Sequence, residues 1–142
     1  MELDSYFDTE QFKKGLAVRQ EVLGEAYVNR SLGNVDPLAK PLQKLVTEWA
    51  WGDIWTRPGL ERKTRSFLNL AFLTALNRPH EIKIHVRGAL NNGLTKEEIV
   101  EVFMQAAIYC GVPAALDSFR IAMEVFKEYD AEQASAGAAK ND

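Results

Sequence analysis

Residues 77–103 read NRPHEIKIHVRGALNNGLTKEEIVEVF, and the fold follows from how this stretch is punctuated. Pro79 lacks a backbone N–H and has its φ preset, so it suits the first position of a helix. After it, Ile82, Val86, Ala89 and Leu90 recur at the three- and four-residue spacing of one buried stripe. Asn92-Gly93 closes that helix, because glycine takes the left-handed conformation that ends helices. Thr95 and Glu98 then form a capping box, three residues apart, ahead of Ile99, Val102, Phe103, Ala106 and Ile108. Two helices, 80–91 and one from Thr95 onward, are thus joined by a turn too short for anything but direct neighbours.

Working outward, 61–77 is apolar almost all round (Phe67, Leu68, Leu70, Ala71, Leu73, Leu76), which predicts a central helix buried by its neighbours. Further back, Gly52, Pro58 and Gly59 break WAWGDIWTRPG into a loop pinned by Trp49, Trp51 and Trp55. Asp36-Pro37 predicts the start of a helix through Leu38, Leu42, Leu45, Val46 and Trp49, with Pro41 tolerated near that start or moving it later. An amphipathic helix is expected over 4–23, stopping at Gly24. Toward the C-terminus, Gly111-Val112-Pro113 punctuates, and a last helix is expected from about Ala114 to Tyr129. No segment alternates with period two. The fold class is all-α, a compact bundle of about six helices, with residues 1–130 as one domain and 131–142 as a mobile tail.

Composition narrows the function. A net charge of −3, with no Lys/Arg cluster longer than three residues, argues against a nucleic-acid surface. No apolar run approaches a membrane span and the N-terminus is acidic, so the expected compartment is the cytoplasm. Cys110 is the only cysteine and there are two histidines, which leaves no intramolecular disulfide, no paired-cysteine redox centre and little to bind a metal. Cys110 reads as a small buried hydrophobe.

The polar cluster with chemical interest lies on the helix after Pro79. Arg78, Glu81 and His85 fall three and four apart along one stripe, with His80 beside them. A carboxylate next to an imidazole suits proton movement, and an arginine can grip a substrate carboxylate with two parallel hydrogen bonds. On spacing alone the favoured reading is an exposed ion-pair row without function, because an i, i+4 Glu/His pair arises often by chance. Arg120 interrupts the apolar face of the last helix, as an interface residue, an exposed one or an anion ligand.

The motifs VRQEVLG (18–24), WGDIWTRPGLERKTRS (51–66), NRPHEIKIHVRGALNNGLT (77–95) and QAAIYCGVPAA (105–115) resemble the carboxymuconolactone decarboxylase family along nearly the whole chain. The wider superfamily includes alkylhydroperoxidase D, whose Cys-x-x-Cys-x-x-x-His site falls here on Arg78, Glu81 and His85. The glutamate that those peroxidases carry one helix earlier falls near Ser66. The resemblance implies an alkylhydroperoxidase D-like all-α fold, a ring-like homo-oligomer, usually a hexamer, and decarboxylation of a small anionic lactone, 4-carboxymuconolactone, to 3-oxoadipate enol-lactone without metal or organic cofactor. Glu81 and His85 are then the expected catalytic pair, with Arg78, His80 and Arg120 binding substrate; Arg120 stands where the decarboxylases usually carry a histidine. The competing expectations are a thiol-dependent alkylhydroperoxidase-like antioxidant protein using Cys110, a family member acting on a related lactone, and an oligomeric binding protein that keeps only the scaffold.

Overall fold

The computed structural model describes residues 4–138. Among them are seven α-helices and no strand, and no helix is long and apolar enough to cross a membrane. The chain divides after Arg65, inside its fourth helix, into two compact units.

In the first unit the helix expected over 4–23 is split. A 3-10 turn at Ser5–Phe7 precedes α1 (Glu10–Leu23), because Thr9 Oγ1 accepts from Phe12 N at 3.0 Å and caps the helix there. A second helix, α2 (Glu25–Gly33), carries almost no sequence signal: only Val28 and Leu32 of it are buried, one i, i+4 pair, too few to display a period. The expected helix after Asp36 becomes three segments. A 3-10 turn (Pro37–Ala39) leads into α3 (Lys40–Leu45), which tolerates Pro41 in its first turn. It continues as a π-helical stretch, Val46–Trp51, in which Gly52 N reaches back five residues to Thr47 O at 2.9 Å. WAW therefore belongs to a helix and not to a loop. Trp51 and Trp55 do pin the segment, buried and stacked at 4.9 Å, whereas Trp49 is 60% exposed.

The widened π turn packs on α1 at the closest approach in this unit. A Cβ on Gly15 would lie 1.9 Å from the Thr47 carbonyl oxygen, so only glycine fits. One turn along α1, the buried Arg19 guanidinium donates through Nη1 to Gln43 Oε1 and Thr47 Oγ1, 3.0 Å each. Burial pushes its pKa down, the cost of holding a cation among neutral acceptors.

The second unit is built around Leu70, Ile82, Val86, Ala89, Leu90, Leu94, Ile99, Phe103, Ala122, Val125 and Phe126. Helix α4 (Arg62–Ala75) runs into it and buries one row, Ser66, Leu70 and Thr74. The expectation of burial all round is wrong for this chain: Leu68, Phe72 and Leu76 are 39%, 56% and 66% exposed. Asn77, at φ +52°, terminates α4, with Asn77 N bonded to Thr74 O and Arg78 N to Leu73 O. The chain turns at once into α5 (Pro79–Asn91) with Pro79 in its first turn. Gly93, at φ +88°, ends α5 in the same manner, and the Thr95–Glu98 capping box opens α6 (Lys96–Cys110). Only Gly111 interrupts before α7 (Val112–Ala138), so Val112 and Pro113 are helical.

α7 extends well past Tyr129. Its last two turns are exposed on every side, and their alanines, glutamate and glutamine favour a helix without packing. Charged bridges help: Lys83–Glu128 (3.2 Å), Arg87–Glu132 and Lys96–Asp130 (2.6 Å). Residues 139–142 of the expected tail lie outside the described residues.

Gly15→Ala should lower unfolding free energy in urea by about 2–3 kcal/mol, since backbone must move to admit the methyl. Gly33→Ala, with nothing within 4 Å of the added Cβ, should change it by less than about 0.5 kcal/mol. Equal effects would contradict the close packing of α1 on the π turn.

Candidate functional site

The orientation of α5 is set by what it buries. Ile82, Val86 and Ala89 are at most 1% exposed and Leu90 8%, so one stripe faces the core of the second unit. The opposite stripe carries Arg78, Glu81 and His85. The Asn77 corner places Arg78 at the N-cap and Glu81 in the first turn, where the positive end of the helix dipole favours a carboxylate.

These residues differ sharply in environment. Arg78, His80 and Glu81 are exposed, and among the described residues none of the three joins an ion pair. An ion-pair row on this face, the functionless reading, is therefore not formed. His85 is only partly accessible, and burial drives its imidazole pKa from 6.5 to about 4, with the Glu81 charge opposing the shift. It is a neutral imidazole at physiological pH. The Glu81 charge acts on it through its field.

The partner on the neighbouring helix is Asn69 of α4, whose side-chain nitrogen lies 3.5 Å from His85 Nδ1. Sequence reading missed it, although an asparagine inside the apolar run FLNLAFL was a signal: a polar group on a packed helix asks for a partner. The same helix holds two more polar links. Asn92 Nδ2 donates to the buried Ser66 Oγ at 2.9 Å, and the Thr74 and Ser118 hydroxyls are 2.9 Å apart. Ser66, at the position of the peroxidases' glutamate, thus ties α4 to the end of α5.

Arg120 lies on α7, exposed and paired to Asp117 at 3.1 Å on its own helix. Lys83–Glu128 and Arg87–Glu132 are both 45 residues apart, which makes α5 and α7 parallel neighbours. By that register Met123 and Glu124 flank the first turn of α5, and Arg120 stands one turn before it. Cys110 is exposed at the end of α6, not buried as the sequence suggested. A groove of about 530 Å³ runs along α6, lined by Phe67, Glu101, Val102, Gln105 and Tyr109 among others, and none of the five candidate residues lines it.

The His85 shift carries a stability consequence. Its folded pKa is depressed, so the unfolded chain binds the extra proton first, and stability is lost as pH falls from about 6.5 through 4. The full loss from this group is about 3 kcal/mol. Urea unfolding between pH 7 and 4 should show this slope in the wild type and a flatter one in His85→Gln; parallel curves would contradict the buried neutral imidazole.

The arrangement couples a donor-capable neutral imidazole, an exposed carboxylate and an arginine along one helix, a set able to bind an anion and move a proton. Comparison with known proteins shows the family. The profile of the carboxymuconolactone decarboxylase family matches residues 40–124. The chain is 45% identical over 121 residues, 85% of its length and 90% of the other, to a 4-carboxymuconolactone decarboxylase of Acinetobacter baylyi. It is 43% identical over 117 residues, 82% of each chain, to a nitrosuccinic acid decarboxylase of Metarhizium robertsii. The chain belongs to the carboxymuconolactone decarboxylase family and is, by reaction class, a carboxy-lyase.

Proposed function

We propose that this protein converts 4-carboxymuconolactone to 3-oxoadipate enol-lactone, in the cytoplasm and without metal or organic cofactor, at the Arg78–Glu81–His85 face of α5. The observation that carries the reading is the pairing of a desolvated, neutral His85 with the exposed Glu81 one turn away. Residues 1–130 act as one functional domain in this reading, which the extent of both relatives supports.

In the lactone, the carbon bearing the departing carboxylate is conjugated through a double bond to the ring carbonyl. The C–C bond to the carboxylate breaks, carbon dioxide leaves, and the electron pair passes into the carbonyl as a dienolate. Arg78 and Arg120, with His80, hold the carboxylates of the dianion. Of Glu81 and His85, one stabilises the oxygen on which charge develops and the other passes a proton taken from solvent to carbon. A second substrate is favoured by the fungal relative, since nitrosuccinic acid is also a dicarboxylic acid with an electron-withdrawing group to receive the pair. The lone Cys110 supplies no second thiol for peroxidase chemistry.

The protein also acts as a homo-oligomer in this reading, a hexameric ring. Leu38, Leu42, Leu45 and Trp49, spaced as a helical stripe, are 93%, 59%, 55% and 60% exposed, more apolar surface than an isolated subunit normally leaves in water.

Absorbance decay of fresh 4-carboxymuconolactone, with chelator present, should show rapid turnover. Glu81→Gln and His85→Ala should each lower kcat by about 10²- to 10³-fold, while Cys110→Ser keeps the wild-type rate. Folded wild type that leaves the lactone untouched but consumes nitrosuccinate would move the reading to the second substrate. Sedimentation at micromolar concentration should give a species several times the 16.0 kDa chain mass; a monomer would contradict the oligomer.

A further inference from the structure

The contact between α4 and α5 at Asn69 says more about His85 than that it is buried. A side-chain amide nitrogen can only donate, and a ring nitrogen that receives its hydrogen must be the unprotonated one. Asn69 Nδ2 lies 3.5 Å from His85 Nδ1, the arrangement in which Nδ1 accepts and the single proton of the neutral ring sits on Nε2. The backbone that carries Asn69 is fixed by packing. Asn69 follows buried Ser66 by one turn and precedes fully buried Leu70, both on the packed row of α4. The backbone of α5 is fixed in turn by Ile82 and Val86, which flank His85 and are buried in the core. A ring nitrogen desolvated in this setting is stabilised by a donor that replaces the lost water.

We propose that Asn69 is a positioning residue for the decarboxylation: by donating to His85 Nδ1 it holds the imidazole proton on Nε2 and presents His85 as a neutral N–H donor to the oxygen that becomes the dienolate. The catalytic roles assigned here rest on the decarboxylase reading above. They also divide the labour left open between the two acid/base residues. His85 stabilises the oxyanion without giving up its proton, and Glu81, on the exposed turn, carries the proton that reaches carbon. A neutral donor suits this task, because it stays attached to the oxygen it stabilises and leaves no buried cation behind.

The test is the ring 15N spectrum of His85 in ligand-free, uniformly labelled protein at pH 7, with His85→Gln used to assign the signals. Wild type should show protonated Nε2 and unprotonated Nδ1. Asn69→Asp keeps the size of the side chain but reverses its hydrogen-bonding sense, so Nδ1 should become protonated; Asn69→Ala should give exchange between tautomers. A wild-type spectrum with the proton on Nδ1, or Asn69 variants with the wild-type pattern, overturns the proposal. Folding of each variant is checked by the coincidence of its urea unfolding with the loss of helical circular dichroism. In the lactone assay Asn69→Asp should lower kcat by about a hundredfold with KM changed less than about threefold. If the tautomer behaves as expected and wild type does not turn over the lactone, the substrate reading fails and the positioning by Asn69 stands. If wild type turns over the lactone and Asn69→Asp does so at the same rate, the positioning role fails alone.

Discussion

The buried stripe of α5 is the constraint on which the C-terminal unit depends. Burial of Ile82, Val86, Ala89 and Leu90 fixes the rotation of the helix about its axis, and therefore the direction of the residues on the other stripe. The two corners that bound α5 fix its length and position, Asn77 at φ +52° before it and Gly93 at φ +88° after it. With both ends held in left-handed turns, a shift by even one residue would carry Ile82 and Val86 out of the core and His85 into it. The candidate site is thus a by-product of ordinary apolar packing. Its reactive groups did not have to be stabilised individually, only placed on the face that packing leaves over.

Environment then separates three side chains that spacing alone makes equivalent. Arg78 and Glu81 occupy the exposed first turn near the positive end of the helix, where charge is tolerated. His85, one turn deeper and covered by α4, loses solvent and with it its affinity for a proton, which moves its pKa to about 4 despite the carboxylate nearby. Desolvation wins here because Glu81 is itself in water, where its field is weakened. Charged on the outside and neutral within, the stripe has the gradient that anion binding followed by loss of a neutral molecule calls for.

Much of this was legible in the sequence, for identifiable reasons. The Thr95–Glu98 box and the Pro79 and Gly93 boundaries are encoded by residues whose backbone requirements are local, and the structure puts each at its expected place. The buried stripe of α5 was legible because its four members recur with helical period. What failed was whatever depends on surroundings. The exposure of Leu68, Phe72 and Leu76 cannot be read from an apolar run, because the run does not say which neighbours exist. The helical extension of α7 to Ala138 depends on bridges such as Arg87–Glu132 that cross from another helix. The π turn at Val46–Trp51 answers to the approach of Gly15, thirty residues away in the chain. In the site, the residue types were legible and the roles were not. Asn69 lies on another helix, and the depth of His85 is a tertiary property.

The chain shares its family with decarboxylases of two different acids. The groove along α6 competes with the α5 face as the place where decarboxylation happens. A crystal structure of Glu81→Gln soaked with 4-carboxymuconolactone decides between them. Density for the lactone against the α5 stripe, with a carboxylate on Arg78 and a ring oxygen facing His85 Nε2, is the predicted result. Density in the groove beside Glu101, Gln105 and Tyr109, with the α5 face unchanged, would contradict it.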